Sequence, residues 1–118
     1  MKSKKVMLFF PNTGFDIKGV SVDLPLAVLN LAAFIQKEFD VCLIDQRLES
    51  DWRERLISEL KKGPLCFGLS ALTSPQILYG LEASKLVREF SPDTMVVWGG
   101  VHPTLMPKST LRNPLVDV

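Results

Sequence analysis

Four short apolar runs are spaced along the chain, and longer segments with a helical spacing separate them. The runs are KVMLFF at Lys5–Phe10, VCLID at Val41–Asp45, LCFGLSA at Leu65–Ala71 and MVVWG at Met95–Gly99. They are continuous rather than alternating, which is typical of strands that are buried on both faces of a parallel sheet. The pattern therefore predicts four buried strands.

Between these runs, apolar residues recur every three or four positions. The spacing predicts helices at about Asp23–Lys37, Asp51–Lys62 and Pro75–Phe90, with a weaker helix at Pro103–Leu111. The residues of the first helix expected to face the core are Leu24, Val28, Leu31, Ala32 and Ile35. Asp23 is its expected N-cap, and Ser74 is expected to cap the third helix.

Strand and helix alternate along all 118 residues, which are predicted to form one domain. Because parallel crossovers are right-handed, we expect an α/β three-layer sandwich of flavodoxin-like or Rossmann-like type with strand order 2-1-3-4-5. The final LVDV resembles the start of the fifth strand, so a longer parent protein is expected. Ligands of such sheets bind at the carboxyl ends of the strands, where the strand order reverses.

Composition argues against several classes of partner. The 14 basic residues nearly balance 13 acidic ones, so no strong field favours nucleic acid or an anionic membrane surface. No apolar run approaches the roughly 20 residues of a membrane helix. We therefore expect a cytoplasmic protein with neither a nucleic-acid nor a membrane partner. Cys42 and Cys66 lie in apolar runs and are expected to be buried, reduced thiols.

The loop after the first strand, PNTGFDIKGVSVD, is longer than an ordinary connection of about two to six residues. Gly14 and Gly19 lack the GxGxxG spacing of dinucleotide sites, and the GK[ST] ending of a P-loop is absent. Asp45 ends the second strand, where NAD enzymes hold a ribose. Without the glycine fingerprint we interpret Asp45 as a capping or loop-bonding group.

Hydroxyls and glycines follow the third and fourth strands. Ser70 lies within an apolar strand and needs a partner for its oxygen. Gly99 and Gly100 remove side chains at the sheet edge, which permits either a turn with positive φ or the close approach of a flat ligand. His102, the single histidine, is interpreted as a hydrogen-bonded loop residue. The sequence contains no convincing catalytic set.

Ser70-x-Leu72 and the Gly99-Gly100 pair look like the SxL and GG elements of cobalamin-binding domains. The segments PLAVLNLAAFIQKEFDVCLID, GLSALTS and VVWGGVHPTLMP resemble the N-terminal cobalamin (vitamin B12)-binding domain of cobalamin-dependent radical S-adenosylmethionine enzymes. The resemblance covers nearly the whole chain, and GGVHPT is its most specific part. It implies the same fold, with the cofactor at the same edge of the sheet.

The resemblance also implies which residues meet the cofactor. Ser70 would hydrogen-bond the dimethylbenzimidazole end of the nucleotide tail. The residues that would line the tail and the corrin edge are Leu72, Thr73, Gly99, Gly100, Val101 and His102. The candidate set is completed by Asn12, Thr13 and Gly14 in the first loop and by Pro103 after the fourth strand.

The first loop departs from the better-known cobalamin domains. Their DxHxxG histidine ligates cobalt, whereas this chain has DIKGVS at Asp16–Ser21, with Lys18 in the place of the histidine. A protonated lysine has no lone pair to give. The resemblance therefore implies base-off cobalamin with no protein histidine below the metal.

The CxxxCxxC segment of the radical enzymes is also absent from the chain. The resemblance places S-adenosylmethionine and the [4Fe-4S] cluster in a missing C-terminal radical domain, so this domain is not catalytic alone. Two alternatives are a degenerate domain that serves only as an interaction module of the same protein, and a flavodoxin-type nucleotide or flavin binder. The missing phosphate loop and glycine fingerprint count against the second.

Overall fold

A computed structural model of the chain describes residues 4–17 and 22–118. Four parallel strands form one sheet in the order β2-β1-β3-β4. The strands are β1 (Lys5–Phe10), β2 (Asp40–Asp45), β3 (Cys66–Ser70) and β4 (Met95–Gly99). The helices are α1 (Leu26–Ile35), α2 (Trp52–Leu60), α3 (Gln76–Phe90), α4 (Val101–Leu105) and α5 (Pro107–Leu111). The predicted α/β fold is confirmed.

The last residues of the chain lie beside β4, on the side away from β3. The backbone N–H of Asp117 donates to the Val96 carbonyl at 2.9 Å, and that of Trp98 donates to the Val118 carbonyl at 2.9 Å. The Asp117 carboxylate accepts a second bond from the Val96 N–H at 2.7 Å and one from Arg88 at 2.6 Å. These residues occupy the place of a fifth strand, consistent with the order 2-1-3-4-5.

The larger core lies between the sheet and helices α2 and α3. Phe9 is at its centre, with ring centroids 5.5 Å from Trp52 and 5.7 Å from Phe67. Helix α3 comes close to the sheet because its inner face carries small residues. A Cβ on Gly80 would lie 3.1 Å from the Trp98 ring, and the Trp98 indole donates to Ser84 Oγ at 3.1 Å.

Helix α1 covers the opposite face through Val28, which packs on Val6 and Leu8. The predicted inner stripe is wrong at two positions, since Leu24 and Leu31 are 71% and 48% exposed. Almost all of α1 is apolar, so the periodicity could not separate its inner face from its flank. On α3, Leu78 is exposed as well.

Two expected helix boundaries also differ. Helix α1 begins at Leu26 with Pro25 at the N-cap position, and Asp23 does not cap it. The predicted helix at Pro103–Leu111 is two short helices that meet at Met106. Pro107, which has no N–H to continue a helix, starts the second of them. Ser74 acts as expected, because its hydroxyl accepts the Gln76 N–H at 3.1 Å. None of the described helices has the length and hydropathy needed to span a bilayer.

The ion pair at the end of the chain predicts a pH-dependent stability. The Arg88 hydrogen bond and the Val96 N–H hold the pKa of Asp117 below its usual range. A group with a lowered folded-state pKa stabilises the fold above its unfolded pKa, and this contribution is lost as the pH falls through the folded pKa. We expect Asp117→Asn to lower the melting temperature at pH 7, with the difference shrinking below about pH 3.9.

Thermal unfolding followed by circular dichroism at several pH values measures this effect. Asp93→Asn is the matched control, because Asp93 is exposed and forms no ion pair with a described residue. Equal melting temperatures for D117N and the natural protein at pH 7 would contradict the prediction.

Candidate functional site

The candidate site lies at the carboxyl ends of β1 and β3. β1 pairs with β2 on one side and with β3 on the other, so the strand order reverses here. The residues on the two sides of this crevice are 11–17 after β1 and 71–75 after β3. Residues 18–21, including Lys18 at the position compared with the cobalt-ligating histidine, are outside the described residues.

The described part of the first loop is a fixed turn. The Thr13 N–H and hydroxyl both donate to the Asp16 carboxylate, at 2.7 and 3.1 Å, and the Phe15 N–H donates to Thr13 Oγ1 at 3.1 Å. Gly14 has a φ of +89°, and a Cβ there would lie 2.7 Å from Pro75 Cβ. The absence of a side chain at Gly14 thus lets the first loop pass close to Pro75, just before α3.

Ser70 and Gly99 are paired neighbours on β3 and β4, and Gly68 and Val97 are the pair below them. Side chains alternate along a strand, so these four residues face away from the aromatic core that holds Phe67 and Trp98. We call Gly68, Ser70, Val97 and Gly99 the open face. Among the described residues, the Ser70 hydroxyl has no hydrogen-bond partner.

The two consecutive glycines do different things. Gly100 has a φ of +97°, and a Cβ there would lie 2.7 Å from Ser70 Oγ and 2.9 Å from the Ala71 nitrogen. The backbone conformation and the close packing at position 100 therefore require glycine. At Gly99 the nearest atom to such a Cβ is the Leu69 carbonyl oxygen at 3.8 Å. The described residues leave room for a side chain at Gly99, so their packing does not require a glycine there.

One flank of α1 forms a wall beside the open face. Leu24, Ala27, Leu31 and Phe34 follow each other at intervals of three or four residues, and all are exposed, Phe34 by 85%. Because the β1-α1-β2 crossover is right-handed, this flank is on the β3 side of the helix. We call the space between this flank and the open face the apolar groove.

The loops after β3 and β4 are tied together at the top of this groove. Thr73 Oγ1 and His102 Nδ1 are 2.9 Å apart, and the His102 N–H donates to the Ala71 carbonyl at 3.0 Å. His102 is hydrogen-bonded as expected, although it lies in the first turn of α4 rather than in a loop. Leu72 and Val101 are exposed beside this pair. Pro103 lines a cleft of about 240 Å³ together with Trp98, Leu111 and Gly99 of the open face.

Comparison with known proteins identifies the family. The sequence profile of the B12 binding domain matches residues 17–118. This chain belongs to the B12-binding domain family. Membership supports cobalamin as the ligand and agrees with the fold described above.

The B12-binding domain is 31% identical, over 121 aligned positions, to an uncharacterised methyltransferase of Pyrococcus horikoshii; the alignment covers 99% of this chain and 26% of that protein. Its fold is similar to part of the radical S-adenosylmethionine methyltransferase TsrM of Kitasatospora setae, solved with tryptophan substrate and the analogue aza-SAM. The TM-score is 0.68 at 22% identity, over 89% of this chain and 21% of TsrM. The chain thus spans about a quarter of the first relative and about a fifth of the second.

Asp45 of the B12-binding domain is fully engaged, as its loop-bonding interpretation predicts. Its carboxylate accepts from Arg47 Nε at 3.0 Å and from the Arg47 terminal nitrogen at 2.9 Å. The same guanidinium lies 4.3 Å from the centre of the Phe10 ring and donates to the Asp23 carbonyl at 2.9 Å. A carboxylate held in this way has little capacity left for a ribose.

Sequence reasoning missed two buried glutamines at the crevice, Gln46 and Gln76. Gln76 is 1% exposed, and its side chain bonds the backbone at Pro11 and Leu72. Gln46 accepts the Asn12 N–H at 2.8 Å. Their position just after a strand and at a helix start was the available signal, but glutamine is usually exposed there.

Both cysteines of the B12-binding domain are free, as expected, although only half-buried. Partial burial raises the pKa of the Cys42 thiol and of the Cys66 thiol. Both therefore stay protonated at neutral pH and are poor nucleophiles.

The contrast between the two glycines predicts different outcomes for the same substitution. Gly100→Ala forces an unfavourable φ and a contact with Ser70, so it should lower the free energy of unfolding by about 1–3 kcal/mol. Gly99→Ala adds its methyl group to open space and should change that free energy by less than about 0.5 kcal/mol. Urea unfolding of both variants measures the difference, and equal losses would show that the two positions are not distinct.

Proposed function

We propose that this B12-binding domain binds cobalamin with its nucleotide tail along the open face and its corrin ring over the carboxyl edge. The observation that carries the proposal is Gly99, which no described residue requires to be glycine, beside the Ser70 hydroxyl, which has no hydrogen-bond partner in the described part of the chain. A flat heterocycle fits such a surface, because bare backbone lets it approach and a hydroxyl can bond its nitrogen.

The apolar groove supports the tail's placement. The α1 flank and Val97 offer apolar walls for the heterocycle, and burying them against it is favourable at roughly 25 cal/mol per Å². Ser70 would supply the hydrogen bond at the end of the tail. Gly100 acts indirectly, since its turn brings the loop after β4 back toward Ser70 and Ala71.

At the carboxyl edge the proposed contacts with the corrin are Leu72, Thr73, Val101 and His102, with Asn12, Thr13 and Gly14 across the crevice. The fixed first loop and the Thr73–His102 pair present these groups without further ordering. Pro103 would support the loop from its adjoining cleft. We propose base-off binding without a protein histidine below the cobalt, because His102 follows β4 and is held by Thr73, far along the chain from the first loop.

We further propose that residues 1–118 are the N-terminal domain of a cobalamin-dependent radical S-adenosylmethionine enzyme, with methyl transfer as the favoured reaction. The two relatives, both named as methyltransferases, support this proposal. The partner would be a C-terminal radical domain that carries S-adenosylmethionine and the [4Fe-4S] cluster. Bound cobalamin supplies the cobalt chemistry, and this chain binds and orients it.

The flavodoxin-type alternative is disfavoured by the first loop. The Thr13 N–H and hydroxyl, which would have to cradle a phosphate, are taken by the Asp16 carboxylate. That negative charge would also repel a phosphate. The degenerate, non-binding alternative has no such observation in its favour, since the open face is not filled by larger side chains.

Absorbance titration of the purified domain with hydroxocobalamin tests the proposal. We expect saturable binding with a base-off spectrum, weakened at least about tenfold by Ser70→Trp, which fills the open face. Ser58→Trp is the matched control, because Ser58 is exposed on α2 on the other side of the sheet. No binding by the folded natural protein, or equal binding by S70W, would contradict the proposal; FMN released on heating would favour the flavin alternative.

A further inference from the structure

We propose that Gln46 and Gln76 are positioning residues that hold the peptide between Pro11 and Asn12, and thereby fix the first loop at the cofactor crevice. Neither residue is among the groups assigned to touch cobalamin. The role rests on the proposed function, because the loop matters here as one wall of the cofactor site.

The two glutamines grip one peptide unit from opposite sides. Gln76 Nε2 donates to the Pro11 carbonyl at 3.0 Å, and Gln46 Oε1 accepts the Asn12 N–H at 2.8 Å. The carbonyl of one residue and the N–H of the next share a plane and point in opposite directions. Gln46 directly follows β2, and Gln76 is the first residue of α3, after β3. Each edge of the peptide is therefore held from a different neighbouring segment.

The two glutamine side chains extend the hydrogen bonding of the sheet by one peptide beyond β1, the Pro11–Asn12 peptide. β1 pairs with β2 as far as Phe10 with Asp45, and with β3 as far as Phe9 with Leu69. A side-chain carboxamide has the same donor and acceptor as a backbone peptide. The glutamines can therefore satisfy the Pro11–Asn12 peptide while the backbones of both neighbours turn away and open the crevice.

Gln76 also links the two walls of that crevice. Its Oε1 accepts the Leu72 N–H at 2.9 Å while its Nε2 holds Pro11. One buried carboxamide thus sets the distance between the first loop and the loop after β3. A free loop would have to lose conformational entropy on binding, so prior fixation favours affinity.

The polarity of the two bonds differs, and this allows a sharp test. Gln76 must donate to a carbonyl, whereas Gln46 must accept from an N–H, and both assignments follow from backbone partners of fixed character. Glutamate at position 46 can still accept. Glutamate at position 76 can donate to Pro11 only when protonated. The two charge-matched variants Q46E and Q76E should therefore behave differently.

Two readouts on the natural protein, Q46E, Q76E and Q46L test the inference. Hydroxocobalamin affinity at pH 7 should fall about tenfold or more in Q76E and stay within about threefold in Q46E. The Q76E affinity should recover as the pH is lowered and the carboxyl group protonates. Hydrogen exchange of the Asn12 amide without cofactor should be slow in the natural protein and fast in Q46L. Gln36→Glu, at an exposed position after α1, is the control.

Each outcome decides a separate question. Equal affinities of Q46E and Q76E, or a Q76E affinity that does not change with pH, would overturn the positioning role while leaving cobalamin binding intact. Rapid exchange of the Asn12 amide in the natural protein would show that Gln46 does not hold this amide, and would overturn the inference itself. If the natural protein binds no cobalamin, the proposed function fails, and the role of the two glutamines toward the cofactor fails with it. Slow exchange of the Asn12 amide would then show only that the hydrogen bond from Asn12 to Gln46 exists.

Discussion

The backbone of β1 is the constraint on which the rest of the structure depends. It is a central strand of a parallel sheet, so its N–H and C=O groups need partners on both sides and cannot turn to water. Along the strand, β2 and β3 supply these partners. At the carboxyl end of β1, the chain segments after β2 and β3 separate to start different helices. The backbone after β1 must therefore find its hydrogen-bond partners elsewhere. The side chains of Gln46 and Gln76 bond the Pro11–Asn12 peptide in place of neighbouring strands, so the crevice between the loops can stay open.

The two faces of the sheet are covered very unequally. One carries the aromatic core under α2 and α3, where glycine and other small residues bring the helix close to Trp98. The other is covered by α1 over β1 and its neighbours, which leaves Gly68, Ser70, Val97 and Gly99 beside an exposed apolar helix flank. A helix with so many apolar residues is normally covered on more than one side. On the proposed function, cobalamin covers this exposed flank.

The strands could be predicted almost residue by residue, because continuous apolar runs between turn residues leave little choice. The inner face of α1 could not, since LAVLNLAAFI has a single polar residue to orient it. The sequence also showed Gly99-Gly100 without revealing that one glycine is required by φ and by Ser70 while the other has free space. The hydrogen bonds of Gln46 and Gln76 to the Pro11–Asn12 peptide could not be predicted, because the burial of a glutamine depends on where two loops converge. The cofactor contacts themselves stay predictions.

On the proposed function, this domain gives cobalt no histidine and must obtain its affinity for cobalamin elsewhere. His102 is tied to Thr73, Asp45 is paired with Arg47, and the Asp16 carboxylate is engaged by the Thr13 turn. Among the described residues, the open face and the α1 flank form a neutral, largely apolar surface on which the Ser70 hydroxyl has no partner, beside a first loop that is already hydrogen-bonded. Such a surface favours binding through burial of the tail and a low ordering cost rather than through charge or metal coordination. On the proposed function, the lower face of the cobalt is then left to chemistry outside this chain's described groups.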